Sequence, residues 1–234
     1  MSNELAAQGS DWGGSESGAC GRWRARATGI ATAVAVAAIT AAVSGCALLA
    51  PRQNPSRFYT LSARVPAAVP VGGVTPLSVV VGPVTMPAYL DRNEIAVRVN
   101  PSELRYAFAE RWAEPLVQNT TSVLVEDLGN ALASDRVASA TTASTATPDF
   151  WVEVVVVRFE PGVDASAHLT ARWAVRDTGR KILRVRQSQH SARAPVATTE
   201  GGVEAMSAAL GDLATEIAGV LRELAAELSR RELP

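Results

Sequence analysis

The stretch RWAEPL sets Arg111, Trp112, Glu114 and Pro115 side by side: a guanidinium, an indole, a carboxylate and a ring that lacks an N–H. Such a set could orient a substrate and move a proton, or it could form a structural corner. The residues that follow favour the corner. Leu116, Val117, Thr120, Val123, Leu124, Leu128 and Leu132 recur every three or four positions, the period of an amphipathic helix. Proline suits the first turn of a helix, where its missing N–H breaks no bond. A carboxylate beside it meets the positive end of the helix dipole. Trp112 then supplies apolar area to seal the junction, and Arg111 has Glu110 and Glu114 as neighbouring counter-charges. No nucleophile or general base has to be invoked.

The other chemistry-bearing residues are sparse. The two histidines, His168 and His190, fall on predicted strands or their ends, without a Ser or Asp partner motif. Neither GxSxG nor HExxH occurs. VGGVTP lacks the lysine and spacing of a phosphate-binding loop. DTG occurs once, in a predicted hairpin turn, whereas aspartic-protease chemistry would need it behind an apolar strand. The two cysteines, Cys20 and Cys46, make no CxxC pair or Cys/His cluster, which argues against a zinc site. The sequence therefore nominates no catalytic residue, no metal ligand and no cofactor. A net charge of -1 excludes a nucleic-acid footprint.

Cys46 has a different meaning. Residues 1–21 are Gly/Ser-rich and aperiodic, and read as a disordered extension or an over-extended start. Arg22, Arg24 and Arg26 precede the apolar run GIATAVAVAAITAAV, which ends in SGC. That order of charge, apolar run and small residues is a secretory signal. The run is shorter than the roughly 20 apolar residues a membrane-spanning helix needs. Val43, Ser44, Gly45 and Cys46 resemble a bacterial lipobox, which implies cleavage before Cys46 and lipidation of its thiol. Each buried acyl methylene contributes about 0.8 kcal/mol to anchoring. Residue 47 is alanine, not the aspartate that favours inner-membrane retention, which leans towards the outer membrane. The organisation expected is thus 1–45 extension and lipoprotein signal peptide, 46–56 lipidated tether, and 57–234 one folded domain.

Within that domain, RFYTLSA reads as a first edge strand. LSVVVGPV reads as a buried one, bounded by Pro76 and Pro83. IAVRVNPSELRYAF alternates with period two on both sides of NPS, a hairpin. Residues 136–139 make a short strand. FWVEVVVVRFEP, apolar on both faces, should be central. Two further strands flank DTG, with Gly179 at the turn position needing a positive φ. Arg172, Arg176, Arg184 and Arg186 are expected on one solvated sheet face. Met206, Leu210, Leu213, Ile217, Val220 or Leu221, Leu224 and Leu228 mark a long final helix packed on the sheet. The fold class is α/β: a single domain, a mixed and largely antiparallel sheet, and two main helices.

Several of these pieces together resemble a known family. Cys46, FYTL (58–61), VGPVTMPAYLDRNEIAVRV (81–99), ERWAEPL (110–116), RFE (158–160) and ARWAVRD (171–177) are similar to the ABC-type transport auxiliary lipoproteins, the lipoprotein component of paraquat-inducible (PqiC-type) systems. The resemblance implies a non-enzymatic subunit anchored in the outer membrane and facing the periplasm. Its partners would be an MCE-domain membrane protein and, in some systems, an ABC transporter permease, in lipid transport across the envelope. It carries over no catalytic residues. The matched loop Pro87, Tyr89, Leu90, Asp91, Arg92 and the corner Arg111, Trp112, Glu114, Pro115 are candidates for a partner surface or for fold integrity. Two other readings stay open: an assembly or docking lipoprotein of a secretion channel or lipopolysaccharide transporter, and a lipid-tethered enzyme using His168 or His190.

Overall fold

Eight strands and two α-helices are laid out in a computed structural model that describes residues 55–69, 76–143 and 147–232. The expected signal peptide, Cys46 and most of the tether lie outside the described residues. The strands are β1 (Arg57–Tyr59), β2 (Val79–Thr85), β3 (Glu94–Asn100), β4 (Glu103–Trp112), β5 (Val137–Ser139), β6 (Phe150–Pro161), β7 (Ser166–Arg176) and β8 (Ile182–Arg193). The helices are α1 (Leu116–Leu132) and α2 (Thr199–Glu232), and a single 3-10 turn spans Ala88–Leu90.

The strands form two sheets, where the alternation alone suggested one. β1, β4 and β3 make a small sheet in the order β1-β4-β3, and the large sheet runs β5-β2-β6-β7-β8. Three strand pairs are parallel (β1–β4, β2–β5, β2–β6) and three antiparallel (β3–β4, β6–β7, β7–β8), so the architecture is mixed. Parallel neighbours need a crossover. The chain from β2 to β5 supplies it through α1, which packs over both strands. α2 covers β6, β7 and β8 on the same side and packs against α1. The core between the layers holds Phe150, Phe159, Trp173, Leu124, Leu128, Met206, Leu213 and Ile217, all fully buried. Each such side chain contributes about 1.5–3 kcal/mol relative to leaving it exposed.

β6 is the third of five strands, as its apolar run suggested. Only its helix-side face is sealed along its whole length: Val155 and Val157 are 50% and 46% exposed on the far side. β2 reaches Thr85, with a bulge between Val81 and Val84. Gly82 takes φ 124 there, a conformation open to glycine.

Two expectations for the β7–β8 hairpin are overturned. The turn residue with positive φ is Arg180 (φ 67), not Gly179. Asp177 sets the turn instead, accepting the Lys181 N–H on Oδ1 at 2.9 Å, while its own N–H bonds the Lys181 carbonyl. The Arg180 guanidinium lies 3.3 Å from the centre of the Trp151 ring, a cation–π contact that offsets the backbone cost. The four arginines also do not share a face. Arg184 pairs with Val175 and Arg186 with Trp173, so both stand on the helix side. There they meet Glu227 and Glu216 of α2. Arg172 and Arg176 stand on the opposite face.

α2 begins behind Thr198, whose hydroxyl accepts the Gly201 N–H at 3.1 Å. Glu200 in its first turn and Arg230 and Arg231 in its last both suit the helix dipole. Its apolar stripe is buried from Met206 to Leu224, and Leu228 beyond is partly exposed. Among the described residues, no helix is long and apolar enough to cross a membrane.

Candidate functional site

Glu160, at the end of β6, is completely buried and is the hub to which three elements are tied. Its Oε1 accepts the Nε–H of Arg98 from β3 at 2.9 Å and the Nε–H of Arg158 at 2.7 Å. Its Oε2 accepts the Tyr89 hydroxyl at 2.7 Å and the Phe159 N–H at 3.2 Å. A buried carboxylate is tolerated only when paired and hydrogen-bonded, and here both oxygens are saturated. Burial, and then donation to Glu160, hold the Tyr89 hydroxyl well above the usual phenol range. RFE therefore acts as a joint between the two sheets.

The two sequence motifs meet beside this joint. Pro87 precedes the 3-10 turn, Leu90 is buried, and Asp91 and Arg92 are exposed. Arg92 stacks on the Tyr106 ring at 4.6 Å and faces Glu94 at 3.7 Å. The Trp112 N–H donates to the Asn93 carbonyl at 2.8 Å, and Arg111 lies opposite Glu94 in the register. So the loop at 87–93 and the corner at 111–115 form one continuous piece of structure.

The corner starts a helix and Trp112 is buried, but Pro115 (ψ 127) stands one residue before α1 and not in its first turn, and no acidic residue lies in that turn. The expected counter-charges of Arg111 are engaged elsewhere. Glu110 accepts the Thr199 hydroxyl, and Glu114 accepts the Asn119 amide at 2.8 Å. Arg111 Nε is buried without a hydrogen-bond partner among the described residues.

α1 carries a second set of buried polar groups that the apolar stripe concealed. Asn119 Oδ1 accepts the Leu61 N–H at 2.6 Å. Asp127 Oδ1 accepts the N–H groups of Arg64 and Val65, each at 2.8 Å. Asn130 donates to the Val65 carbonyl at 3.1 Å, and its own carbonyl accepts the Ala68 N–H at 2.9 Å. These bonds zip residues 61–68, an extended strap, along α1. The signal was present in the sequence: Asn119 and Asp127 fall on the helix face that is otherwise apolar.

Between the sheets, above Glu160, lies an open cleft of about 630 Å3 lined by Arg98, Arg158, Asp164, Ser166 and His168 among others. It contains a serine, a histidine and an aspartate, so a hydrolytic triad has to be considered. The Ser166 hydroxyl donates directly to Asp164 Oδ1 at 2.6 Å, with no imidazole interposed. A triad needs the histidine between the two. That bond and the Ser166 N–H lower the Asp164 pKa, and Arg193 adds to the effect. His190 sits elsewhere, on β8, 3.0 Å from Glu216. Among the described residues no group of three or more His, Cys, Asp or Glu side chains is placed to hold a metal.

The profile of the ABC-type transport auxiliary lipoprotein component matches residues 59–218, from β1 into α2, and so takes in both sheets and both motifs. The chain belongs to this family. Solved structures share the fold of this auxiliary lipoprotein. One is protein XCC0632 from Xanthomonas campestris, 17% identical, covering 74% of this chain and 99% of its own, with a TM-score of 0.61. Another, described as an uncharacterized protein, is 17% identical, covers 71% of this chain and 98% of its own, and has a TM-score of 0.59. No curated protein matches the sequence. Membership makes the chain an auxiliary lipoprotein of an ABC-type transport system, associated with the cell-envelope membranes.

Proposed function

We propose that this chain is a non-enzymatic subunit of an MCE-type, ABC-linked lipid-transport system, anchored in the outer membrane through lipid on Cys46 and facing the periplasm. The observation that carries the reading is how the family's motif residues are spent. Tyr89, Arg158, Glu160, Trp112 and Glu114 all bond within the chain, tying loop to sheet and strand to helix. Such a body presents fixed surfaces to partners. The loop around Asp91 and Arg92, exposed and held rigid by these ties, is the proposed contact for an MCE-domain membrane protein. Asp164 and Ser166 bond each other directly, which weighs against the tethered-enzyme alternative.

The test is capture of the full chain, tagged at its C-terminus, from detergent-solubilised envelopes, with mass spectrometry of what accompanies it. An MCE-domain protein among the partners is the expected result. Recovery of a secretion-channel or lipopolysaccharide-transport component in its place would move the chain to another envelope machine.

A further inference from the structure

We propose that the cleft between the two sheets binds a phosphate group, carried on a lipid headgroup or as the free ion, through Arg98 and Arg158. The argument starts from how the guanidiniums are held. Each reaches Glu160 end-on through Nε, and both use the same oxygen, Oε1. The second oxygen is taken by Tyr89 and the Phe159 N–H. Neither arginine can therefore close a two-pronged pair with the carboxylate. The Nη edges of both are left over, and both residues line the cleft. Among the described residues these edges make one bond, a long one from Arg98 Nη1 to the Pro101 carbonyl at 3.4 Å. Two guanidiniums fixed by a buried carboxylate have already lost most of the side-chain freedom that binding would otherwise cost.

The cleft also has the right charge and shape. Arg98, Arg158 and Arg193 face Glu160 and Asp164, so positive charge is in excess by one. His168 stands directly across from Glu160 in the β6–β7 register, with Arg158 on its diagonal, and adds a ring nitrogen to the same wall. One arginine comes from the small sheet and the other from the large one, so donors converge from two sides. A planar carboxylate is saturated by a single fork, whereas a tetrahedral phosphate uses donors from several directions. At about 630 Å3 the cleft has room for a lipid headgroup as well as a free ion. The proposal is independent of the transport assignment, because binding is read on the isolated chain.

The test is isothermal titration calorimetry of the purified full-length chain in an uncharged detergent, with inorganic phosphate and, separately, dihexanoyl phosphatidylglycerol. Arg158→Gln should weaken binding about tenfold or more, the scale of a lost charge-assisted pair. His168→Ala should weaken it several-fold while leaving the Glu160 cluster intact, and it carries the test if Arg158→Gln does not fold. Tighter binding of the lipid, reduced in the variants, identifies a phospholipid headgroup as the ligand. Binding of inorganic phosphate alone, reduced in the same way, identifies a free phosphate. If neither ligand saturates, or if the variants bind like the parent chain, the proposal is wrong.

Discussion

Asp127 and Glu160 are both completely buried carboxylates, yet they face different physics. Glu160 has two guanidiniums, a phenol and an amide around it. Asp127 has two backbone N–H groups on one oxygen, and its other oxygen is without a partner among the described residues. Burial accordingly raises the Asp127 pKa above its ordinary value of 3.8, the two N–H bonds only partly opposing it. A raised carboxyl pKa means the folded state holds the proton more tightly than the unfolded chain. The site therefore favours folding at low pH, and that contribution is lost as pH rises through the folded-state pKa. Asp127→Asn keeps an acceptor for the two N–H groups and removes the titration. Urea unfolding should show the variant gaining on the parent chain as pH rises from about 4 to 7. A constant difference between the two across that range would refute the assignment.

At the scale of elements, glycines in α2 separate close packing from open space. A Cβ on Gly201 would stand 2.3 Å from the Val196 carbonyl oxygen, a backbone atom that cannot step aside. A Cβ on Gly219 would meet nothing within 4 Å. Gly201→Ala should destabilise the protein by about 1–3 kcal/mol, as overpacking does. Gly219→Ala should stabilise it by about 0.5–1 kcal/mol through helix propensity. Urea midpoints of the two variants should move in opposite directions; movement in the same direction would mean that the start of α2 has room for a Cβ at residue 201. The strap at 61–68 belongs to this scale too. It passes Gly211, where an added Cβ would sit 3.3 Å from Arg64 Cβ, so this glycine lets the strap lie close to α2.

At the scale of the whole molecule, the proposed lipid anchor at Cys46 precedes the stretch that the family match covers. That match begins at residue 59, and the ties that hold the strap lie at 61–68, well after Cys46. Replacing residues 1–46 with a signal peptide that is cut without lipidation should therefore move the protein from the membrane fraction to the soluble periplasmic fraction with no change in its urea midpoint. Retention of the variant in washed membranes would argue against lipid on Cys46 as the anchor. Complementation of a deletion strain by the released form would show that anchoring is dispensable for transport.

The periodicities in this chain were sufficient to determine its two helices, the β3–β4 and β7–β8 hairpins, the central place of β6 and the start of α1 just behind Pro115. All of these are local, set by which side chain follows which at spacings of two, three or four residues. The motif residues also sufficed to identify the family. Alternation shows that a strand has two faces, but not which neighbour it joins. The division into two sheets, and the assignment of Arg184 and Arg186 to the helix side, followed only from pairing between distant strands. The stacking of Arg180 on Trp151 likewise joins residues distant in sequence. The Glu160 joint and the cleft above it required Arg98, Arg158 and Tyr89 to converge from separate elements. Tertiary structure alone decides such a site, because its energy resides in contacts between residues far apart in the chain.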